Sequence, residues 1–333
     1  MKTYVTNGDS KLEVEISELQ EADAKVKVRI THILPSMSDV NIFSGDSSTT
    51  YPFVIGHGAI GVISDDRPEY GLKRGEKVII NPYTTEGIDR FNWDVAVTTK
   101  GVDEDGFMRE LAYVEKEKLI PFPEEGGMVS ETEAIFTERI ALALKVLNSF
   151  SMEKGDYIVI IGGDTVCNLI GQLALYFQLI PIMIDSNADN LARAQKAGIY
   201  YTIDETKESA YEKVSEITCG KMAENTVISM GGGLTPAFMF PMTKVGGKCI
   251  ILCENKAVKS FEADVSVISR RQLRVRGVNN GATEFDSAIN ILAQKILNFD
   301  GFIDKTVEAK DAAILLREMK QNPERYFNAV IKL

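Results

Sequence analysis

The sequence predicts an α/β chain in which a doubly wound parallel-sheet domain is joined to a β-rich domain. Three observations carry that expectation. Gly155–Gly198 reads as strand, tight turn, helix, strand and second helix. Further short apolar runs, at Asn225–Met230, Cys249–Cys253 and Leu273–Val278, alternate with helical stretches through the middle of the chain. Residues 1 to about 120 instead carry short runs of strand character broken by turn signals.

In chain order, Lys25–Ile30 alternates strictly, as a half-buried strand does. Phe53–Ile55 is expected as strand, followed by Gly56-His57-Gly58 and a resumed strand over Ala59–Ser64. A polar turn, Gly71–Glu76, precedes a strand at Lys77–Ile80, which Asn81-Pro82-Tyr83 ends. Thr84–Asp105 shows no strong period and is expected as a surface excursion. Gly106–Val114 returns to strand alternation. Ser130–Glu133 has capping-box spacing and opens a helical segment through Ile135, Ile140, Leu144 and Leu147.

The βαβ stretch follows. Tyr157–Ile161 is a β-branched run suited to a strand buried on both faces. Gly162-Gly163 breaks it, and Thr165–Phe177 takes helical spacing, with Pro181 punctuating the exit. Ile182–Ile184 forms the next strand, ending in Asp185, and Ala188–Lys196 is a helix that Gly198 stops. Beyond it, Leu234–Thr243 and Phe285–Leu297 read as helices flanking a turn at Val245–Lys248, Ala312–Gln321 as another helix, and Tyr326–Leu333 as a closing strand.

A unit of this form, with an acid closing its second strand, is the dinucleotide-binding pattern. Gly162, Asp164 and Cys167 occupy the positions of its three glycines. The second glycine normally lets the backbone approach a pyrophosphate, and Asp164 places a carboxylate there. One reading makes Gly162, Gly163, Asp164, Thr165 and Val166 a cofactor turn. The other makes Asp164 an ordinary helix N-cap. Asp185, about 20 residues beyond Gly162, suits a ribose hydroxyl pair and would repel a 2′-phosphate, favouring NAD over NADP. Gly231-Gly232-Gly233, after a strand, suits close approach of a nicotinamide or serves as a plain turn. Arg270-Arg271 is either a pyrophosphate contact or a solvated loop.

Composition bounds the function. The 333 residues are 44% hydrophobic and 26% charged, ordinary for a globular chain of one or two domains. A net charge of −11 argues against nucleic acid and anionic membrane as partners. The opening MKTYVTNGDSKLEVE has no apolar h-region, so no secretion signal is read. The uncharged run Thr165–Ile184 contains Asn168, Gln172, Gln178 and Pro181 and is read as buried helix plus strand, not a membrane span. The 4 cysteines form no disulfide framework, which points to a reducing cytoplasm. Cys249 and Cys253 are separated by ~13 Å along a strand and cannot chelate one metal.

The landmarks MSDVNIFSG, YPFVIGHGAIGVI, GLKRGEKVIINPY, DGFMRELAYV, the βαβ unit, ISMGGG and KVGGKCIIL come in an order and spacing that resembles the medium-chain dehydrogenase/reductases, the superfamily of zinc alcohol and polyol dehydrogenases. The resemblance spans nearly the whole chain. It implies a GroES-like domain over residues 1–147, a Rossmann domain over 148–285 and a C-terminal segment, 286–333, returning to the first domain. It also implies a homodimer or homotetramer built through the Rossmann sheet edges.

That family's catalytic zinc uses about three protein ligands. The cysteine position is Ser36 here, His57 is retained, the glutamate after it is Gly58, and the later glutamate matches Glu138. The structural zinc lobe needs cysteines between about Tyr83 and Gly106, and that interval has none. The expectation is no zinc at either site. Polar candidates in the former zinc cleft are Ser36, Ser38, Asp39, Asn41, His57, Glu138 and Arg139. His57, one of 2 histidines, reads either as a general acid or as a leftover bonded to Glu138. Arg139 reads as an anion contact or a structural ion pair, and His32 as structural. Two functions follow: a zinc-independent NAD(H)-dependent oxidoreductase acting on a small polar alcohol, carbonyl or enone, with His57, Ser38 and Glu138 as its catalytic candidates, or a degenerate homologue that binds a ligand or partner without turnover.

Overall fold

The computed structural model describes residues 1–16, 25–85, 97–123, 129–229, 239–252 and 263–333. In chain order the first elements are β1 Lys2–Val5, β2 Glu13–Ile16, β3 Lys25–Leu34, α1 Met37–Phe43, β4 Gly58–Ile63 and β5 Lys77–Ile80. Then come β6 Tyr83–Thr85, β7 Val97–Thr99, β8 Leu111–Glu115, β9 Leu119–Pro121, α2 Glu131–Ala134 and α3 Thr137–Asn148. The middle of the chain carries β10 Tyr157–Ile161, α4 Thr165–Tyr176, β11 Ile180–Asp185, α5 Ala188–Lys196, β12 Tyr201–Asp204 and α6 Ala210–Ile217. After these follow β13 Ala223–Ser229, α7 Met239–Met242, β14 Thr243–Leu252, α8 Val265–Arg270 and β15 Arg274–Val278. The last are α9 Phe285–Ala293, β16 Lys305–Glu308, α10 Ala312–Gln321 and β17 Ala329–Lys332.

The chain divides into two units. The first holds Met1–Glu138, Ile289–Lys295 and Phe302–Leu333; the second holds Arg139–Ala288 and Ile296–Gly301. In the first, β16, β17, β3, β4, β5 and β9 form one sheet in that order, with β8 also on β3. Its strands alternate as the pleat demands: Val26, Val28 and Ile30 point into the core, and the lysines and arginine between them do not. The same core takes Val40, Ile42 and Phe43 from α1 and Ala312, Leu315 and Leu316 from α10.

In the second unit all six strands run parallel, in the order β12-β11-β10-β13-β14-β15. This is the doubly wound order whose crevice lies at the carboxyl ends of the strands on either side of the reversal, here β10 and β13. The central strands are uniformly apolar because helices cover both faces: Val159, Ile161, Ile182, Ile184 and Ile228 share one core. Gly162 (φ 104°) makes the turn out of β10, and Gly198 (φ 95°) ends α5, both in the left-handed region that glycine enters without penalty.

Several sequence expectations shift. Phe53–Ile55 forms only a single bridge, Thr6 to Phe53, because Val54 and Ile55 spend their carbonyls on Gly106 and Met108. The stretch expected as a plain excursion contains the β6–β7 pair. The helix from Ser130 breaks into α2 and α3, and the helix from Phe285 stops at Ala293. Of Leu234–Thr243, the described part is helical over Met239–Met242 only. Thr243 already opens β14, which absorbs the turn expected at Val245–Lys248. Pro181 lies inside β11, as its second residue.

Candidate active site and nucleotide crevice

The first unit gathers its buried polar residues around α1 and the turn before β4. Ser36 is the N-cap of α1, and its Oγ accepts the Ser38 N–H (3.1 Å) and, more weakly, the Asp39 N–H (3.4 Å). Asp39, at the third helical position, reaches back to accept the Ser36 N–H at 2.7 Å and its hydroxyl at 3.0 Å. Its other oxygen accepts the Gly56 N–H at 2.7 Å. Asp39 thus ties α1 to the Gly56-His57 turn, and His57 Nδ1 sits 3.3 Å from Asp39 Oδ2. Burial pushes the Asp39 carboxyl up, but His57 and the N–H groups of Ser36 and Gly56 outweigh burial and hold it below its ordinary value. A carboxylate beside Nδ1 favours a proton there and leaves Nε2 as the ring's other acid–base atom.

The turn is packed from the other side by glycine. A Cβ on Gly106 would lie 2.5 Å from the Gly56 carbonyl oxygen, and one on Gly101 would lie 2.8 Å from the His57 nitrogen. Gly101 and Tyr83 arrive together because Tyr83 pairs with Thr99 in the β6–β7 ladder. The Tyr83 hydroxyl donates a short hydrogen bond to Glu138 Oε1, in the first turn of α3, and both side chains are buried.

Of the residues singled out from sequence, Ser36, Ser38, Asp39 and His57 are therefore joined in one network. Glu138 is held by Tyr83. Asn41 and Arg139 are buried at their helical positions. His32 lies in β3, with Nδ1 3.1 Å from Thr31 Oγ1. Sequence reasoning missed Tyr83, which it read as a strand terminator. The aromatic directly after Asn-Pro was the available signal.

This donor set fits a zinc ion poorly. Ser36 carries no charge and its hydroxyl is engaged as a cap. The Asp39 oxygens are taken by backbone and Ser36 donors, and Glu138 is engaged by Tyr83. Among the described residues no group of three or more His, Cys, Asp or Glu side chains is arranged to hold a metal.

The second unit carries the nucleotide features at the carboxyl edge of its sheet. Asp185 closes β11. Its carboxylate accepts the Asn187 N–H at 2.7 Å and Asn190 Nδ2 at 3.3 Å. Gly163 lies against it: a Cβ there would be 2.6 Å from Asp185 Oδ2. The Gly162-Gly163 turn thus lies close against the Asp185 carboxylate. The diphosphate end differs. Asp164 caps α4, Oδ1 accepting the Cys167 N–H at 2.9 Å, and Oδ2 accepts a short hydrogen bond from Ser229 Oγ at the end of β13. Both readings of Asp164 meet at one place, since the N-cap carboxylate stands at the helix terminus where a pyrophosphate would be bound. Thr165 and Val166 form the first turn behind it. Burial, with Asp164 and Asp185 nearby, pushes the Cys167 thiol well up.

Gly231, Gly232 and Gly233 lie outside the described residues. Arg270-Arg271 is at the wrong end for a phosphate contact. It precedes β15, at the amino edge of the sheet, where Arg271 donates to the Thr243 carbonyl oxygen. Among the described residues no helix is long and apolar enough to cross a membrane.

The alcohol dehydrogenase GroES-like domain family matches residues 20–124. An uncharacterized zinc-type alcohol dehydrogenase-like protein of Haemophilus influenzae is 24% identical over 327 residues, covering 95% of this chain and 94% of its own. Residues 20–124 thus carry an alcohol dehydrogenase GroES-like domain, and the chain is similar over nearly its whole length to zinc-type alcohol dehydrogenase-like proteins. Sorbitol dehydrogenase of Rattus norvegicus is 23% identical over 329 residues, covering 92% of this chain and 90% of the rat protein. Solved structures share the fold: an Escherichia coli alcohol dehydrogenase complexed with NADH (TM-score 0.85, 18% identity, 100% of this chain and 99% of that one) and 2R,3R-butanediol dehydrogenase of Bacillus subtilis (TM-score 0.86, 16% identity, 100% and 99%). The GroES-like unit corresponds to β1–β9 with β16 and β17, and the Rossmann-type unit to the sheet from β10 to β15.

Proposed function

We propose that this chain is a zinc-independent, NAD(H)-linked oxidoreductase acting on a small polar alcohol or carbonyl compound. The observation that carries the proposal is the buried Asp39–His57 pair. It supplies, from the chain's own atoms, an acid–base group at a position that the resemblance assigns to a metal ligand. The similarity to sorbitol dehydrogenases and to a structure solved with NADH supports the reaction class. Asp185, at the end of the second Rossmann strand and packed on Gly163, supports NAD over NADP.

The nicotinamide cofactor supplies or accepts the hydride when bound. The protein's part is proton handling at His57. Asp39 stabilises the imidazolium and orients the ring, so that Nε2 gives a proton to a carbonyl oxygen during reduction and takes it back during oxidation. Ser38, on the first turn of α1, and Glu138, held by Tyr83, are polar groups of the same unit that position the substrate hydroxyl in this reading. The chain forms a homodimer or homotetramer, a reading supported by β15, the outer strand of the Rossmann sheet, on which Val275 is exposed.

Calorimetric titration tests the cofactor assignment: NADH binds and NADPH binds much more weakly. Equal affinity for the two removes Asp185 as selector, and no heat with either moves the chain to a non-catalytic role. With an NADH-oxidising substrate in hand, His57→Ala abolishes turnover and leaves NADH affinity near wild type. Unchanged turnover excludes His57 from the reaction.

A further inference from the structure

The Rossmann unit's Asp164 is where this chain departs most from what a dinucleotide requires. Its carboxylate caps the N-terminus of α4, a 12-residue helix, and accepts the Cys167 N–H at 2.9 Å. It is clamped from the neighbouring strand by Ser229 Oγ. A helix N-terminus offers a partial positive charge and backbone donors that bind an anion, and here the protein's own anion has taken that place. The ribose side of the crevice is intact, because Gly162 keeps its turn and Gly163 packs on Asp185. A glycine at position 164 would leave the terminus open. Asp164 fills it with a like charge to the one arriving.

We infer that Asp164 is an internal competitor for the cofactor's diphosphate: a residue that sets dinucleotide affinity by occupying the pyrophosphate's place at α4 until it is displaced from Ser229 and the Cys167 N–H. The inference rests on the NAD(H) reading above and deepens it. It makes the crevice selective by charge. Ligands that bring only a nucleoside meet Asp185 and are unaffected by Asp164, while those that bring a diphosphate must first move a carboxylate. Repulsion between Asp164 and the diphosphate is screened by salt, so the wild-type chain binds NADH more tightly as ionic strength rises.

The test is calorimetry on the full chain with three probes, NADH, ADP-ribose and adenosine, using wild type, Asp164→Asn and Ser229→Ala. Asparagine caps helices about as well as aspartate, so Asp164→Asn keeps the fold and removes only the charge. The expected result is that Asp164→Asn tightens NADH and ADP-ribose by roughly tenfold or more, as a close like-charge pair at intermediate dielectric warrants. Adenosine is unchanged, and the rise of NADH affinity with salt is lost. Ser229→Ala, which frees the carboxylate to swing away, tightens NADH by a smaller factor. Equal NADH affinity in wild type and Asp164→Asn overturns the inference while leaving the cofactor reading standing. No binding of NADH by either protein overturns both.

Discussion

Asp39 is a buried carboxylate that survives because each oxygen has a donor of its own, and this makes acid stability a property of one side chain. Its folded value lies below its unfolded value of about 3.9. The stabilisation is therefore complete above that pH and is lost as pH falls through the depressed folded value. Asp39→Asn lowers stability at pH 7 by roughly 1–3 kcal/mol, the cost of a lost charged hydrogen-bond partner in the interior. The deficit shrinks as pH falls through the depressed folded value, where the wild-type carboxyl protonates as well. Urea denaturation of both proteins across this range measures it, and a deficit constant with pH would exclude Asp39 as the titrating group. The thiols give a second residue-scale expectation. Cys167 and Cys249 are buried with thiols pushed up by burial, whereas Cys219 is exposed. Alkylation of the native protein at neutral pH modifies Cys219 and spares Cys167 and Cys249 until denaturant is added, as peptide mass mapping will show.

At the scale of elements, the His57 turn is held as a sandwich between α1 and the Gly101–Gly106 segment. Gly106 has no room for a side chain, since a Cβ would press on backbone oxygens of Ile55 and Gly56. Gly106→Ala therefore costs roughly 1–3 kcal/mol of stability by overpacking and displaces the turn that carries His57. Thermal denaturation and NADH-linked turnover read the two effects, and an unchanged melting temperature would show that the turn yields freely. The elements legible in the sequence were those with unambiguous period or capping: β10, α4, α5, α10 and the β3 alternation. Bounds for α5 and α10 agree to the residue. What escaped was set by pairing at long range. Short β1, β12 and β16 carry too few residues for a period, and Phe53–Ile55 looks like a strand but bonds to loop backbone. The site followed the same rule. Ser36, Asp39 and His57 lie at family landmarks and could be marked from sequence. The partners Tyr83 and Ser229, each more than 50 positions away in the chain, could be found only in three dimensions.

For the molecule as a whole, the family resemblance was legible because landmarks extend along the chain, each weak and jointly specific. The metal reading divides along the same line: the fold is that of zinc-type alcohol dehydrogenase-like relatives, while the proposal that no zinc is held rests on Ser36 and Gly58 at two of the ligand positions the resemblance implies. Protein purified without chelator contains less than one zinc per chain, and chelator leaves both melting temperature and turnover unchanged. Stoichiometric zinc by elemental analysis would overturn the ligand argument. The composition of the first unit has a separate consequence. Its sheet takes β16 and β17 from residues 305–332, and β17 pairs with β3 from residues 25–34. On the ribosome the Rossmann unit, second in sequence, has its six strands together once β15 has emerged. The GroES-like unit, synthesised first, must wait with the His32–Ile33 end of one β3 edge unpaired, since β8 covers only Lys25–Arg29 of that edge. The order of birth and the order of completion are thus reversed, and the nascent chain's exposed β3 edge is where a chaperone would be needed.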